Sequence, residues 1–181
     1  DALELRPFLI DLYEEFHNND KEIKILCEGA QGFELDIDWG DYPYVTSSHC
    51  TAASALLNGI PPQAVRHIWG VGKVYEDTIF SEIRDLGEEY GATTGRPRQC
   101  NWLNLDALNR SLKINGVTHM VLNKIDVLKK LNRWALLHEE KMRNFASQEE
   151  MCNYIIENTP FKYNKENALF SGNKYNLNAS S

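Results

Sequence analysis

The sequence predicts an α/β fold with a largely parallel central sheet flanked by helices. Two apolar runs, residues 23–27 and 117–122, have the length of buried strands. Segments with apolar residues at helical spacing lie before, between and after these runs. Strands that alternate with helices favour parallel pairing, because parallel strands need a long crossover that is usually a helix. Ligands of such sheets bind beyond the carboxyl ends of the strands.

Local signals place the first helices in chain order. Apolar spacing predicts a helix over residues 3–16, where only Pro7 interrupts the pattern near its start. A cap at Thr51 begins a short helix that ends at residue 57. The prolines at positions 61 and 62 are typical of the first turn of another helix.

The second half of the chain continues the alternation. Its predicted elements are a helix-to-strand segment at 65–75, helices at 79–86, 104–114 and 147–157, and a last strand at 168–170. Asn115 and Gly116 form a typical helix end. Ser147 and Glu150 have the spacing of a capping box, which marks a helix start.

The composition is that of an ordinary globular domain. With 181 residues, 43% of them hydrophobic and 25% charged, the chain is predicted to fold as a single α/β domain over residues 1–181. A net charge of −7 argues against a general electrostatic grip on nucleic acid or on an anionic membrane. No apolar run approaches the ~18 residues that span a bilayer. We therefore expect no nucleic-acid partner and no membrane partner.

Cysteine and histidine spacing predicts no metal site. The four cysteines lack C-x-x-C spacing and the five histidines lack H-x-x-x-H spacing. His49 and Cys50 are adjacent, but neighbours on an extended chain point apart. Asp36 and Asp38 are interpreted as structural. Scattered reduced thiols are typical of a cytoplasmic protein, which is the location that we expect.

The first of three loops with chemical character is the EGAQG run at residues 28–32. Its two glycines allow a tight turn and a close approach of the backbone to a ligand. The Gln31 side chain offers an amide donor and a carbonyl acceptor, which suit the edge of a purine. A purely structural turn is the alternative interpretation.

The second loop, GATTGRPR at residues 91–98, combines two hydroxyls, two glycines and two guanidinium groups. Guanidinium groups bind carboxylates and phosphates in bidentate fashion, and the amides of a glycine-rich loop add donors. Arg96 and Arg98 lie two residues apart and share one face if the segment is extended. A solvated turn with two surface arginines is the alternative.

The third loop, NKID at residues 123–126, matches the N-K-x-D pattern that reads guanine in GTP-binding proteins. The Asp126 carboxylate can accept hydrogen bonds from N1–H and the 2-amino group of guanine, a pair that adenine lacks. The aliphatic stem of Lys124 can pack on the face of the base. Such a short pattern also occurs by chance, but its position after an apolar strand favours the functional interpretation.

Taken in order along the chain, these loops resemble the motifs of adenylosuccinate synthetase. The run EGAQGFELDIDWGDYPYVTSS at 28–48 is similar to the family's EGAQG, DID and YPYVTSS signature. GATTGRPR and NKIDVL are similar to its aspartate-binding and guanine-binding segments. The resemblance covers residues 24–131. It implies a P-loop-GTPase-like synthetase fold, seen here as its C-terminal part.

The resemblance implies an enzyme of purine nucleotide biosynthesis, a ligase that forms a C–N bond. GTP would phosphorylate the 6-oxygen of IMP, and L-aspartate would then displace phosphate to give adenylosuccinate. GTP as cosubstrate, Mg²⁺ and a homodimer are implied in the same way.

The resemblance also implies a role for each matching residue. IMP would be bound by Gln31, Thr46 and Arg96; L-aspartate by Thr93, Thr94, Arg96 and Arg98; and GTP by Arg98, Lys124, Asp126, Ser171 and Gly172.

The chain departs from the family pattern at several places. Trp39 stands where the family usually has His, and His49-Cys50 stands where it has Asn-Thr. The sequence contains no GDEGKG-type phosphate loop, and none of its residues is assigned to catalysis or to a metal. We expect the catalytic residues upstream of Asp1, so that the chain is an incomplete part of a longer enzyme and is inactive alone.

Three alternatives stay open. A phage-type enzyme would join aspartate to dGMP with ATP or GTP as the donor. A GTP-binding switch would need a G-x-x-x-x-G-K-[ST] loop upstream of NKID, and the sequence has none. A noncatalytic nucleotide-binding fragment would keep Gln31 and Asp126 but would lack the phosphate loop.

Overall fold

The computed structural model describes residues 2–18, 22–76, 85–88, 90, 95 and 101–172. The chain divides into two compact units, Asp1–Arg66 and His67–Ser181. The single domain over residues 1–181 stays a prediction.

The first unit is built from short helices joined by irregular segments. Its helices are α1 (Ala2–Leu5), α2 (Leu12–His17) and α3 (Ala53–Leu57), with single 3₁₀ turns at Arg6–Phe8, Phe33–Leu35 and Pro62–Ala64. The helix predicted over 3–16 is divided because Pro7 lies inside a 3₁₀ turn. Asp11 then caps α2 by accepting hydrogen bonds from two amides of its first turn.

The strand predicted over residues 23–27 is wrong. Residues 22–29 have no regular structure, and the Leu26 side chain is 91% exposed. A strand is stabilised by ladder hydrogen bonds to a neighbour, and the described part of the first unit contains no strand that supplies them. Apolar composition alone therefore does not produce a strand here.

The second unit holds the sheets and the longer helices. Within the described ranges its strands are β1 (Trp69–Lys73), β2 (Tyr75–Glu76), β3 (Asn101–Trp102), β4 (His119–Asn123), β5 (Trp134–His138), β6 (Lys141–Phe145) and β7 (Ala168–Phe170). Its helices are α4 (Leu105–Asn115), α5 (Ile125–Leu131) and α6 (Gln148–Glu157), with 3₁₀ turns at Pro160–Tyr163 and Lys165–Asn167. The helix predicted over 79–86 lies mostly outside the described residues.

Three strands form the parallel sheet, in the order β1-β4-β7. Leu122 of β4 lies between Gly72 of β1 and Phe170 of β7. The pairs β2–β3 and β5–β6 are antiparallel. The prediction of an α/β fold with a parallel sheet flanked by helices is confirmed, and so is the last strand at residues 168–170.

One face of the parallel sheet packs into the apolar core. Met120 and Leu122 alternate with partly exposed neighbours along β4 and have no exposed surface. Gly70 in β1 allows a close approach of Val117, because a Cβ there would lie 3.0 Å from Val117 Cγ1. The helices contribute further large core side chains, among them Leu105, Leu112, Leu128, Met151 and Ile155.

The ends predicted for the helices at 104–114 and 147–157 are confirmed. Asn104 caps α4 by accepting from two amides of its first turn, and Gly116 ends the helix in the left-handed region at φ 61°. Ser147 Oγ accepts from the Glu150 amide at 3.1 Å. In return, Glu150 Oε2 accepts from the amide of Ala146, the residue before the cap, at 2.7 Å, so the pair forms a variant of the capping box that is displaced by one amide.

The β5–β6 hairpin is not predicted from the sequence. Its turn consists of Glu139 and Glu140, which both have positive φ, 53° and 59°. Turns of this kind usually carry Asn or Gly, so the ordinary turn signal is missing. The hairpin is stabilised instead by the buried side chains of Trp134, Ala135 and Leu136.

Candidate functional site

The NKID segment connects β4 to α5 and is fixed by the end of β7. The Ile125 amide donates to the Ser171 carbonyl at 3.1 Å, and the Ser171 amide donates to the Leu122 carbonyl at 3.0 Å. Lys124 takes the left-handed conformation, at φ 66°. The two segments that the sequence predicts to bind GTP are therefore adjacent in the second unit.

Asp126 lies in the first turn of α5 and has a buried carboxylate oxygen. Among the described residues, its Oδ1 has no hydrogen-bond partner. An unpaired buried acceptor costs free energy, so a donor from a ligand is favourable there. A Cβ at Gly172 would lie 3.3 Å from Asp126 Cβ and 3.6 Å from its Oδ1. The glycine therefore leaves space beside the carboxylate.

The Lys124 side chain is anchored at its end. Its Nζ donates to the carbonyl oxygen of Gly87 at 2.8 Å, and Gly87 is buried. This contact fixes the ammonium group and leaves the aliphatic stem for stacking against a base. Neither this anchor nor the space at Gly172 is visible in the sequence pattern.

The Gln31 side chain is the centre of a polar network in the first unit. Its Nε2 donates to Thr46 Oγ1 at 3.1 Å, and its Oε1 accepts from Ser48 Oγ at 2.9 Å and from Cys50 Sγ at 3.5 Å. The Gln31 backbone has φ 63°, a region that a glutamine rarely adopts. The structure therefore brings together the predicted IMP-binding pair Gln31 and Thr46.

Sequence reasoning missed Ser48 and Cys50 as members of this network. Both follow Thr46 at intervals of two, and residues two apart on an extended chain lie on the same side. That spacing is the signal from which they could have been found.

A buried carboxylate, that of Asp36, binds backbone amides of the same loop. Asp36 is fully buried, and its oxygens accept from the backbone amides of Asp38, Trp39, Cys50 and Thr51. Burial by itself raises the pKa of this carboxyl, but the four amide donors outweigh burial, and the pKa of Asp36 lies below its ordinary value. Asp36 is therefore an ionised, structural group.

Asp36, Asp38 and His49 bring three candidate metal-ligand atoms within 4.8 Å of one another. The Asp36 oxygens are already engaged by amides, and Asp38 Oδ2 pairs with His49 Nδ1 at 3.1 Å. Mg²⁺ requires oxygen ligands with free lone pairs in nearly octahedral geometry. These residues do not fit Mg²⁺, and their arrangement supports the structural interpretation of both acids.

The predicted aspartate-binding side chains Thr93, Thr94, Arg96 and Arg98 lie outside the described residues. Gly95 between them is described and has φ 62°, a region that favours glycine. The roles of the four side chains stay predictions.

The Gln31 network belongs to the first unit and the NKID segment to the second. Whether the two meet in one cleft stays a prediction. In the part of the chain that the structure describes, no helix has the length and apolar character needed to cross a membrane.

Known proteins are similar to this chain in sequence. The family model described as adenylosuccinate synthetase matches residues 2–157. Adenylosuccinate synthetase of Lodderomyces elongisporus is 44% identical over 142 residues, which are 70% of this chain and 33% of that protein. The enzyme of that name from Phocaeicola vulgatus is 44% identical over 135 residues, 66% of this chain and 32% of that protein.

A solved structure shares the fold. The fully ligated adenylosuccinate synthetase from Plasmodium falciparum aligns with a TM-score of 0.69 and 31% identity, over 80% of this chain and 39% of that chain. The chain spans about a third of the length of the curated relatives that it matches. Since the family model covers most of the chain and the relatives are well above 30% identical, the chain belongs to the adenylosuccinate synthetase family.

Proposed function

We propose that the protein that carries this chain is a ligase of purine nucleotide biosynthesis, which joins L-aspartate to IMP with GTP as phosphoryl donor. First, N1 of IMP loses its proton and the γ-phosphoryl group of GTP passes to the 6-oxygen, which yields 6-phosphoryl-IMP and GDP. The aspartate amine then attacks C6, phosphate leaves, and the nitrogen loses a proton to give adenylosuccinate. Phosphorylation makes the exocyclic 6-oxygen a good leaving group, which an oxygen anion is not. Family membership supports this reaction.

The observation that carries the proposal is the buried, unpartnered Oδ1 of Asp126 beside Gly172. Guanine presents two neighbouring donors, N1–H and the 2-amino group, which fit the two oxygens of one carboxylate. Adenine has an acceptor at N1 and carries no amino group at C2. Asp126 therefore favours GTP over ATP.

The proposal assigns the other residues as follows. Gln31, Thr46 and Arg96 bind IMP; Thr93, Thr94, Arg96 and Arg98 bind the aspartate carboxylates; and Arg98, Lys124, Ser171 and Gly172 join Asp126 in binding GTP. The proposal further includes Mg²⁺ with GTP, a homodimer and a cytoplasmic location. No residue of the described ranges is assigned to the metal.

The test is an Asp126→Asn variant. Asparagine keeps one acceptor but replaces the other oxygen with an amino group, which opposes the 2-amino group of guanine and matches the 2-oxygen of xanthine. We expect the Kd for GTP to rise by at least about tenfold and the Kd for XTP to fall. Calorimetric titration with each nucleotide measures the two Kd values.

The control is Asp106→Asn, which changes an acid in the first turn of α4 and is expected to move neither Kd. If the Kd for GTP and the Kd for XTP are each the same in wild type and in Asp126→Asn, the guanine assignment is overturned. Ligation assays with IMP against dGMP, and GTP against ATP, then separate the proposed reaction from the phage type, since turnover of dGMP alone contradicts IMP as substrate.

A further inference from the structure

The Gln31 amide is surrounded by groups that use most of its hydrogen-bonding capacity. A primary amide has two acceptor lone pairs on oxygen and two N–H donors. Ser48 Oγ and Cys50 Sγ occupy both acceptor positions, at 2.9 and 3.5 Å, while Thr46 Oγ1 takes one donor at 3.1 Å. The second N–H of Gln31 has no partner among the described residues, so it is the group that a ligand meets.

We propose that Ser48 and Cys50 are positioning residues for Gln31, and that they hold its amide with an N–H donor, not the carbonyl oxygen, toward the nucleotide. This inference rests on the proposed function, which places the purine of IMP beside Gln31. A donor in that position fits a purine with an oxygen at C6 and opposes a purine with an amino group there. The network thus selects a 6-oxopurine over a 6-aminopurine.

Cys50 supplies one of the two side-chain donors that meet the amide oxygen of Gln31. Ser48 Oγ supplies the other, at 2.9 Å, so the oxygen end of the amide lies where both donors converge. A thiol has one weak donor, and the described oxygens beside Cys50 Sγ are carbonyl acceptors, Gln31 Oε1 at 3.5 Å and Ser48 O at 3.7 Å. The thiol therefore favours the orientation in which the amide oxygen faces it.

The backbone of Cys50 is held firmly enough to act in this way. Its amide donates to the buried carboxylate of Asp36, and the next amide, of Thr51, donates to the same oxygen at 3.2 Å. Cys50 thus links a rigid buried group to a ligand-facing amide. We expect that a change of the Cys50 side chain alters the orientation of the Gln31 amide but leaves the backbone of the loop unchanged.

The test compares Cys50→Thr with Cys50→Val in the full chain. The two side chains have nearly the same shape, but only threonine keeps a donor. Kd values for IMP and AMP, the 6-oxo and 6-amino members of one nucleotide pair, are measured by calorimetry. Cys50→Val is expected to weaken IMP binding about tenfold and AMP binding less than about twofold, and Cys50→Thr is expected to restore the preference for IMP.

A merely structural role for Cys50 predicts a different result. It would weaken IMP and AMP together, and Cys50→Val and Cys50→Thr would behave alike. Either finding, or an unchanged preference for IMP in Cys50→Val, overturns the proposal. Ser48→Ala removes the second donor and is expected to lower the same preference.

A ligand-free measurement separates this inference from the proposed function. The side-chain N–H resonances of Gln31 in an NMR spectrum report directly on the hydrogen bonds of its amide. We expect them to shift in Cys50→Val and to stay close to wild type in Cys50→Thr. If wild type binds no IMP but the shifts follow this pattern, the positioning role stands and the IMP assignment fails. If the resonances are the same in all three proteins, the positioning role is overturned.

Discussion

At the residue scale, Asp36 connects two stretches of the first unit that are distant in sequence. Its carboxylate accepts from amides at positions 38 and 39 and, across a larger separation, from those at 50 and 51. Its burial would favour protonation, but four amide donors stabilise the charge. The shape of the segment that carries Thr46 and Cys50 therefore depends on one ionised side chain.

Asp36→Asn tests this dependence. The asparagine amino group would face two of the four amide donors, so their hydrogen bonds are lost and like dipoles oppose each other. We expect the free energy of unfolding to fall by about 2–4 kcal/mol, measured by urea unfolding followed at Trp39. The matched control is Asp38→Asn, whose exposed pairing with His49 is worth at most about 1 kcal/mol. Equal losses in the two variants would contradict the structural role of Asp36.

The stability of the first unit should also depend on pH through the same group. Because the pKa of Asp36 is lowered in the folded state, its contribution is fully present above the unfolded pKa of about 3.9 and is lost as pH falls through the folded pKa. We expect the stability difference between wild type and Asp36→Asn to be constant above about pH 5 and to shrink below about pH 4. Urea unfolding at a series of pH values checks this, and a difference that does not change with acid would contradict it.

At the element scale, the helices of the second unit start and stop where their local signals place them. The start of α6 is the clearest case, because Ser147 and Glu150 satisfy amides on both sides of the first turn. The α5 helix is different, because its first residue donates a hydrogen bond to the carbonyl of Ser171, the residue that follows β7. The position of α5 therefore depends on a tertiary contact, and this contact orients Asp126 in the first turn of the helix.

Ser147→Ala removes the cap of α6. We expect a loss of about 1 kcal/mol in the free energy of unfolding, because the Glu150 amide loses its acceptor. Ser147→Asp is the control, since its carboxylate also accepts from the first turn and should retain most of the stability. Urea unfolding of the second unit by circular dichroism compares the three proteins, and an alanine variant as stable as wild type would contradict the capping role.

At the scale of the whole molecule, the apolar core belongs to one of the two units. Every buried hydrophobic side chain in the described ranges lies at or after Val74, in the unit His67–Ser181. In the first unit, Asp36 and Thr51 are the side chains that the described ranges bury. Burial of apolar surface is the main favourable term in folding. The second unit therefore holds the larger share of the stability.

Expression of the two units as separate proteins tests this distribution. Residues 67–181 are expected to unfold cooperatively in urea, with a steep transition by circular dichroism and by fluorescence. Residues 1–66 are expected to unfold at a lower urea concentration than residues 67–181, because the described part of this unit buries no hydrophobic side chain. A higher midpoint in the smaller protein, or no steep transition in the larger, would contradict the prediction.

Much of the fold and of the candidate site can be predicted from the sequence because the signals are local. The caps at Asn104, Gly116 and Ser147 each act within a few residues. The NKID and EGAQG loops identify Asp126 and Gln31 by residue type and spacing. The strand predicted at 23–27 fails because a strand requires a neighbour that the apolar run itself does not specify.

The sequence by itself thus determined the family, the parallel sheet and the chemical type of the binding loops. Only the tertiary structure decided the partners of those loops: the glycine beside Asp126, the carbonyl that anchors Lys124, and the thiol that faces Gln31. The physical reason is separation along the chain. Lys124 and Gly87 lie 37 residues apart, and Gln31 and Cys50 lie 19 apart, so these contacts exist only once the chain has folded.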